Sequence, residues 1–105
     1  MPKFVFIYRN ANPPASPEAA QQHMADWREW SQSLGKALIN PGMPFAQTVA
    51  VTKEDATEDI GANRLNGFSV VEVSDCHEAR AFAERCPHLN IGGDIVIAEG
   101  VEMEM

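Results

Sequence analysis

An imidazole followed by two indoles along one helix face is the most chemically suggestive arrangement in this 105-residue chain. Trp27 and Trp30 follow His23 by four and seven residues, spacings that put all three side chains on the same side of an α-helix. Imidazole, with an ordinary pKa of about 6.5, passes a proton in either direction near neutrality without a metal or cofactor. The indoles beside it would form an apolar stacking wall for a flat organic ligand. Asp26, three residues beyond His23, stands where it could orient the ring, although pairs at this spacing also form on solvated helix faces. The competing reading makes His23 a core-edge or interface histidine and the tryptophans ordinary packing.

Tyr8 and Arg9 end an apolar segment, where a phenol and a guanidinium could hydrogen-bond a carboxylate or an enolate-like oxygen. For Arg9 a surface ion pair is the alternative in so acidic a chain. His88, directly after Cys86-Pro87, falls in a turn, where it either lines a pocket mouth or caps a helix end. His77 opens a helix and is expected to be exposed. Cys86 has apolar neighbours at helical spacing and reads as a buried hydrophobe, a poor nucleophile. The three histidines and two cysteines lack metal-ligand spacing, so no metal is expected. Dinucleotide-binding glycines, a P-loop and a nucleophile elbow are absent, and no cofactor is expected.

The elements that must position these groups follow from periodicity and punctuation. Lys3 to Tyr8 (KFVFIY) is a strand with apolar residues on both faces, stopped by Asn10-Ala11-Asn12-Pro13-Pro14. Ser16-Pro17-Glu18 starts a helix: a capping hydroxyl, a proline at the first helical position and an acid at the positive end of the dipole. Ala20, Met24, Trp27, Ser31 and Leu34 carry it to a stop at Gly35. Lys36 to Asn40 reads as a second strand closed by a Pro41-Gly42 turn, Gln47 to Thr52 as a third, and Lys53 to Arg64 as an acidic surface loop. Phe68 to Val73 (FSVVEV) is a fourth strand. Asp75 and Glu78 have capping-box spacing at the head of a second helix, whose buried stripe is Ala79, Phe82, Ala83 and Cys86 and which Pro87 ends. Gly92-Gly93 turns the chain into a last strand, Asp94 to Ala98, and the tail Glu99 to Met105 could continue as an edge strand or dock on a partner. With Cys76 and Cys86 on one helix, about 15 Å of rise separates them, beyond the roughly 7 Å reach of a disulfide. Free thiols in a reducing compartment are expected.

The order β-α-β-β-β-α-β is a ferredoxin-like α+β pattern with an extra strand, in one domain spanning residues 1–105. Both helices would cover one face of an antiparallel sheet. Strands apolar on both sides would leave the other face bare, which implies a homodimer through the sheet. A formal charge of -7 argues against nucleic acid and anionic membrane as partners. No apolar run reaches the roughly 20 residues of a membrane span, and Met1 to Phe6 does not resemble a signal peptide, so a cytoplasmic protein is expected.

Five segments, in order and spacing, resemble the YCII-related family, which sits near the DGPF-domain proteins in the dimeric α/β-barrel group. They are FVFIYR (Phe4 to Arg9), QQHMADWREW (Gln21 to Trp30), LGKALINPGMPF (Leu34 to Phe45), LNGFSVVEV (Leu65 to Val73) and ERCPHLNIGGDIVIAEG (Glu84 to Gly100). The resemblance implies a ferredoxin-like subunit whose sheets pack face to face in a homodimer, with a cleft into which His23 projects. It also implies cofactor-free lyase or isomerase chemistry. Two features depart from the pattern. The Asp-Gly-Pro-Phe motif is missing, with Thr57 to Leu65 (TEDIGANRL) in the corresponding stretch. Arg9 and Asn10 stand where many relatives carry an acid beyond the first strand, so an acidic partner for His23 must come from elsewhere.

Two functions follow. In one, a small cofactor-independent lyase or isomerase uses His23, with Asp26, to move a proton on a cyclic or aromatic molecule held by Tyr8, Arg9, Trp27, Trp30 and His88. In the other, the same homodimer is a non-catalytic small-ligand-binding or regulatory module. A third possibility is an accessory protein that contacts another protein through the acidic loop.

Overall fold

The computed structural model describes residues 1–57 and 64–103. Six strands and two helices follow in the order β1 (Lys3–Arg9), α1 (Pro17–Leu34), β2 (Leu38–Pro44), β3 (Ala50–Val51), β4 (Ala56–Thr57), β5 (Leu65–Glu72), α2 (Cys76–Glu84) and β6 (Asp94–Glu99). Strands β2, β5, β1 and β6 form one antiparallel sheet in that order, the ferredoxin-like arrangement. β1 lies at its centre, as expected for a strand apolar on both faces.

Both helices begin as their sequences dictate. Ser16 accepts a hydrogen bond from the Ala19 amide and Pro17 occupies the first helical turn. Asp75 accepts from the Glu78 amide, while the Glu78 carboxylate reaches back to Ser74. That is a capping box displaced by one residue. α2 ends at Glu84, so Cys86 lies beyond the helix and not on its stripe. Both cysteines are free thiols.

The core fills the space between the helices and one sheet face. Phe4, Phe6 and Tyr8 of β1 alternate inward beside Ser69 and Val71 of β5, and Trp30, Leu34, Ala79, Ala83 and Cys86 close over them. The opposite face carries Val5, Ile7, Phe68 and Val70, all half-buried, with Val96 exposed. Phe45 stacks on Phe68 there, with ring centroids 6.0 Å apart.

Several departures from the sequence reading concern where strands begin, end and pair. Lys36 belongs to a 3₁₀ turn (Gly35–Ala37), and Pro41-Gly42 does not end β2, which runs through both residues to Pro44. β2 is an edge strand whose pairing with β5 shifts register twice, so a proline without an N–H is tolerated. Gly42, at φ +75°, lies so close to the Phe68 carbonyl that a Cβ would be 1.7 Å from its oxygen. The third predicted strand shrinks to Ala50–Val51 and pairs with Ala56–Thr57 in a separate ribbon, not in the main sheet. That ribbon places a strand inside the stretch read as loop; residues 58–63 of that stretch lie outside the described residues. β6 ends at Glu99, and 101–103 form no edge strand.

Candidate functional site

Beyond the end of the packed core, the same sheet face is hollow. A cleft of about 350 Å³ opens between the N-terminal half of α1, the ends of β1 and β5, the middle of β2 and the 3₁₀ turn Pro87–Ile91. Tyr8, His23, Trp27, Met43, Ser69 and His88 contribute to its wall. Three of the seven candidate residues thus meet Trp27 around one space: Tyr8, His23 and His88.

His23 is held by its neighbour. The Trp27 indole N–H donates to Nε2 of His23 over 2.7 Å, and because indole nitrogen only donates, that imidazole nitrogen must be unprotonated. The neutral ring therefore carries its proton on Nδ1. Burial holds the imidazolium pKa below its ordinary value, opposed by the Asp26 carboxylate and assisted by His88.

Tyr8 is 5% exposed and its hydroxyl lies 2.9 Å from Ser69 Oγ, which lies 2.8 Å from the carbonyl of Pro41. A carbonyl only accepts, so Ser69 spends its one proton on Pro41 and must accept from Tyr8. The direction of this line is fixed. Tyr8 has no proton left for a ligand and can only accept; burial raises its pKa far above the usual phenol value. His88, 3% exposed, places Nε2 2.9 Å from the Arg9 carbonyl, to which it must donate. Gly93 lies against this ring: a Cβ there would come within 2.3 Å of His88 Nε2.

The remaining candidates lie outside the cleft. Trp30, 5% exposed, is part of the core and donates its indole N–H to the Phe82 carbonyl at 3.0 Å. Asp26 accepts from the Gln22 amide at 2.8 Å and not from the imidazole it was expected to orient: it reaches His23 only through its field. Arg9 turns its guanidinium to Asp94, 2.7 Å away, and contributes to the cleft only through the carbonyl that holds His88. Asn10, in the left-handed region at φ 62°, also donates to Asp94, and the two contacts keep that carboxyl below the usual range. Cys86 is buried, which pushes its thiol up to about 12. Among the described residues no group of three or more His, Cys, Asp or Glu could hold a metal ion, and no helix is long and apolar enough to cross a membrane.

Sequence reasoning passed over Ser69 and the Pro41 carbonyl. Ser69 did leave a signal, as the single hydroxyl among the otherwise apolar inward positions of β5.

Comparison with known proteins supports the architecture. The chain matches no protein-family model and no curated protein. Among solved structures it is similar to 5-chloro-2-hydroxyhydroquinone dehydrochlorinase from Burkholderia phenoliruptrix AC1100, in complex with 2,5-dihydroxybenzoquinone. The match has a TM-score of 0.56 at 18% identity and covers 94% of this chain and 95% of that one. The shared property is the fold, a ferredoxin-like α+β subunit with a four-stranded antiparallel sheet and two helices.

Proposed function

We propose that this chain is a homodimeric, cytoplasmic protein of the YCII-related type, and that its cleft binds a small cyclic or aromatic molecule and promotes a cofactor-independent elimination or isomerisation. The observation that carries this reading is the neutral His23, fixed by Trp27 at the wall of an apolar cleft. The volume suits a single-ring ligand at the lower end of the range for small-molecule sites. The structurally similar dehydrochlorinase holds a dihydroxylated quinone, which makes hydroxylated rings the first ligands to try.

In this reading His23 acts through Nδ1–H, donating a hydrogen bond to a ligand oxygen as negative charge develops on it. A neutral imidazole is well suited to that task, since it polarises an oxygen without surrendering its proton. The homodimer follows from the bare sheet face, where Val5, Ile7, Val70 and Val96 would be covered by the same residues of a second copy. Sedimentation at low micromolar concentration is expected to give a dimer; a stable monomer would remove that part of the proposal.

Chloride release from 5-chloro-2-hydroxyhydroquinone tests the activity. His23→Ala is expected to lower it by about 10²-fold or more while the circular dichroism stays unchanged. Equal rates in the two proteins would eliminate His23 from the mechanism. A non-catalytic binding module is the second reading, favoured by the indole that occupies the basic nitrogen of His23. It is selected if the protein binds hydroxylated rings and turns none of them over.

A further inference from the structure

With Nε2 of His23 occupied and the Tyr8 proton committed to Ser69, the cleft still lacks a group able to receive a proton. His88 supplies one. Its Nε2–H is spent on the Arg9 carbonyl, so in the neutral ring the lone pair resides on Nδ1. That nitrogen has no protein partner among the described residues. Nor do those residues contain any side-chain nitrogen or oxygen that is both sealed from open space and unbonded. Nδ1 therefore touches open space, and the residue, only 3% exposed, lines the cleft.

We propose that His88 is the proton acceptor of the cleft, taking a hydroxyl proton from a ring-bound ligand on Nδ1 while His23 donates from Nδ1–H to a second ligand oxygen. The inference rests on the reading of the cleft as a site for hydroxylated rings and adds the base that reading lacks. The three polar groups divide the work by necessity. A phenol that has donated its proton is too weak a base to hold another, and the accepting nitrogen of His23 is already engaged. His88 alone among them can accept a proton and remain hydrogen-bonded, because its Nε2–H keeps donating to Arg9 in the imidazolium form.

The step balances without an oxidant or reductant. The ligand O–H bond breaks and an N–H bond forms on His88, leaving the electron pair on the ligand oxygen and a positive charge on the ring. As that pair forms a carbonyl, the displaced ring electrons take the proton back from His88 at the carbon that bears the leaving group, giving the keto tautomer. Loss of a second hydroxyl proton to His88 then forms the second carbonyl and expels the leaving group with its bonding electrons, and His88 later releases that proton to solvent. Alternatively the proton returns from His88 to a ring carbon, forming C–H and completing an enol-to-ketone isomerisation. Both outcomes favour a substrate that presents a hydroxyl to His88 and a second oxygen to His23.

4-Nitrocatechol, whose absorption changes when its phenol ionises, is a direct probe. Bound to the wild-type protein at a pH where the free compound is neutral, it is expected to show the phenolate band. His88→Gln keeps an amide donor for the Arg9 carbonyl but has no basic nitrogen; it is expected to bind the probe with the phenolate band lost. A phenolate band retained in that variant overturns the assignment of His88 while leaving the cleft as a ring-binding site. Failure of the wild type to bind the probe and other hydroxylated rings overturns the functional reading itself. Nitrogen-15 NMR of the unliganded protein decides independently of any variant: a lone-pair-bearing Nδ1 on His88 is expected, and a protonated one refutes the proposal.

Discussion

Trp27 and Trp30 sit one turn apart on α1 and have opposite fates. Trp30 is roofed by α2, bonds to the Phe82 carbonyl and stands 6.4 Å from Phe6 in the core. Trp27 lies beyond the reach of α2, makes edge contacts with Tyr8 and Trp30, and gives its N–H to a histidine. α2 has only nine residues against the eighteen of α1, so the longer helix overhangs a stretch of sheet that nothing else covers. The cleft is that uncovered stretch. Identical side chains on one helix face become core or cavity wall according to whether the second helix extends over them.

The sharpest way to break this contrast is to truncate each indole in turn. Trp30→Ala is expected to cost about 3–5 kcal/mol in urea unfolding at fixed protein concentration, because it opens a void in the packed core. Trp27→Ala should cost clearly less, since its ring is only half-buried, and should abolish binding of hydroxylated rings. Equal losses of stability would mean that the two positions are equivalent packing.

A gentler probe keeps the ring and removes its proton. Trp27→Phe is expected to cost about 1 kcal/mol for the lost hydrogen bond and to free Nε2 of His23. The pKa of His23 in the native protein lies below 6.5, so on acidification the unfolded chain takes up the proton first. The stabilisation from the neutral ring is thus complete above about 6.5 and is lost as pH falls from there through the native value. NMR titration should place the wild-type midpoint below 6.5 and move it upward in Trp27→Phe. An unmoved midpoint would show that the indole does not govern protonation.

The smallest effect is expected at the last residue of β1, whose guanidinium points away from the cleft. Asp94→Asn disrupts a partly exposed pair with Arg9 and should change stability by about 1 kcal/mol or less, with the difference shrinking in salt. Ring binding should be untouched. A tenfold loss of affinity would bring the Arg9 guanidinium back into the site.

Much of the scaffold was readable from the residues because its signals are local. The Ser16-Pro17 start, the Asp75 cap and the alternation in β1 and β5 each rest on neighbours within a few positions. What was misread depends on distant contacts. Pro41-Gly42 has the composition of a turn, and only the approach of the Phe68 carbonyl makes it a bulged edge strand. Helical spacing puts both indoles on one face of α1, but a stripe spanning seven residues rises about 10 Å and outruns the cleft, leaving Trp30 in the core. Spacing alone brings Asp26 near His23, whereas its hydrogen bond is accepted from Gln22. His88 was ambiguous because its role depends on the Arg9 carbonyl, 79 positions earlier.

The one-way line from Tyr8 through Ser69 ends at a main-chain oxygen on an edge strand, and this makes the selectivity of the cleft a property of backbone placement. A side chain can evolve by a single codon, but the terminus at Pro41 moves only if β2 itself is re-registered. So long as that edge stays put, the tyrosine wall greets incoming hydroxyls and turns away bare carbonyls, whatever residues later come to line the mouth.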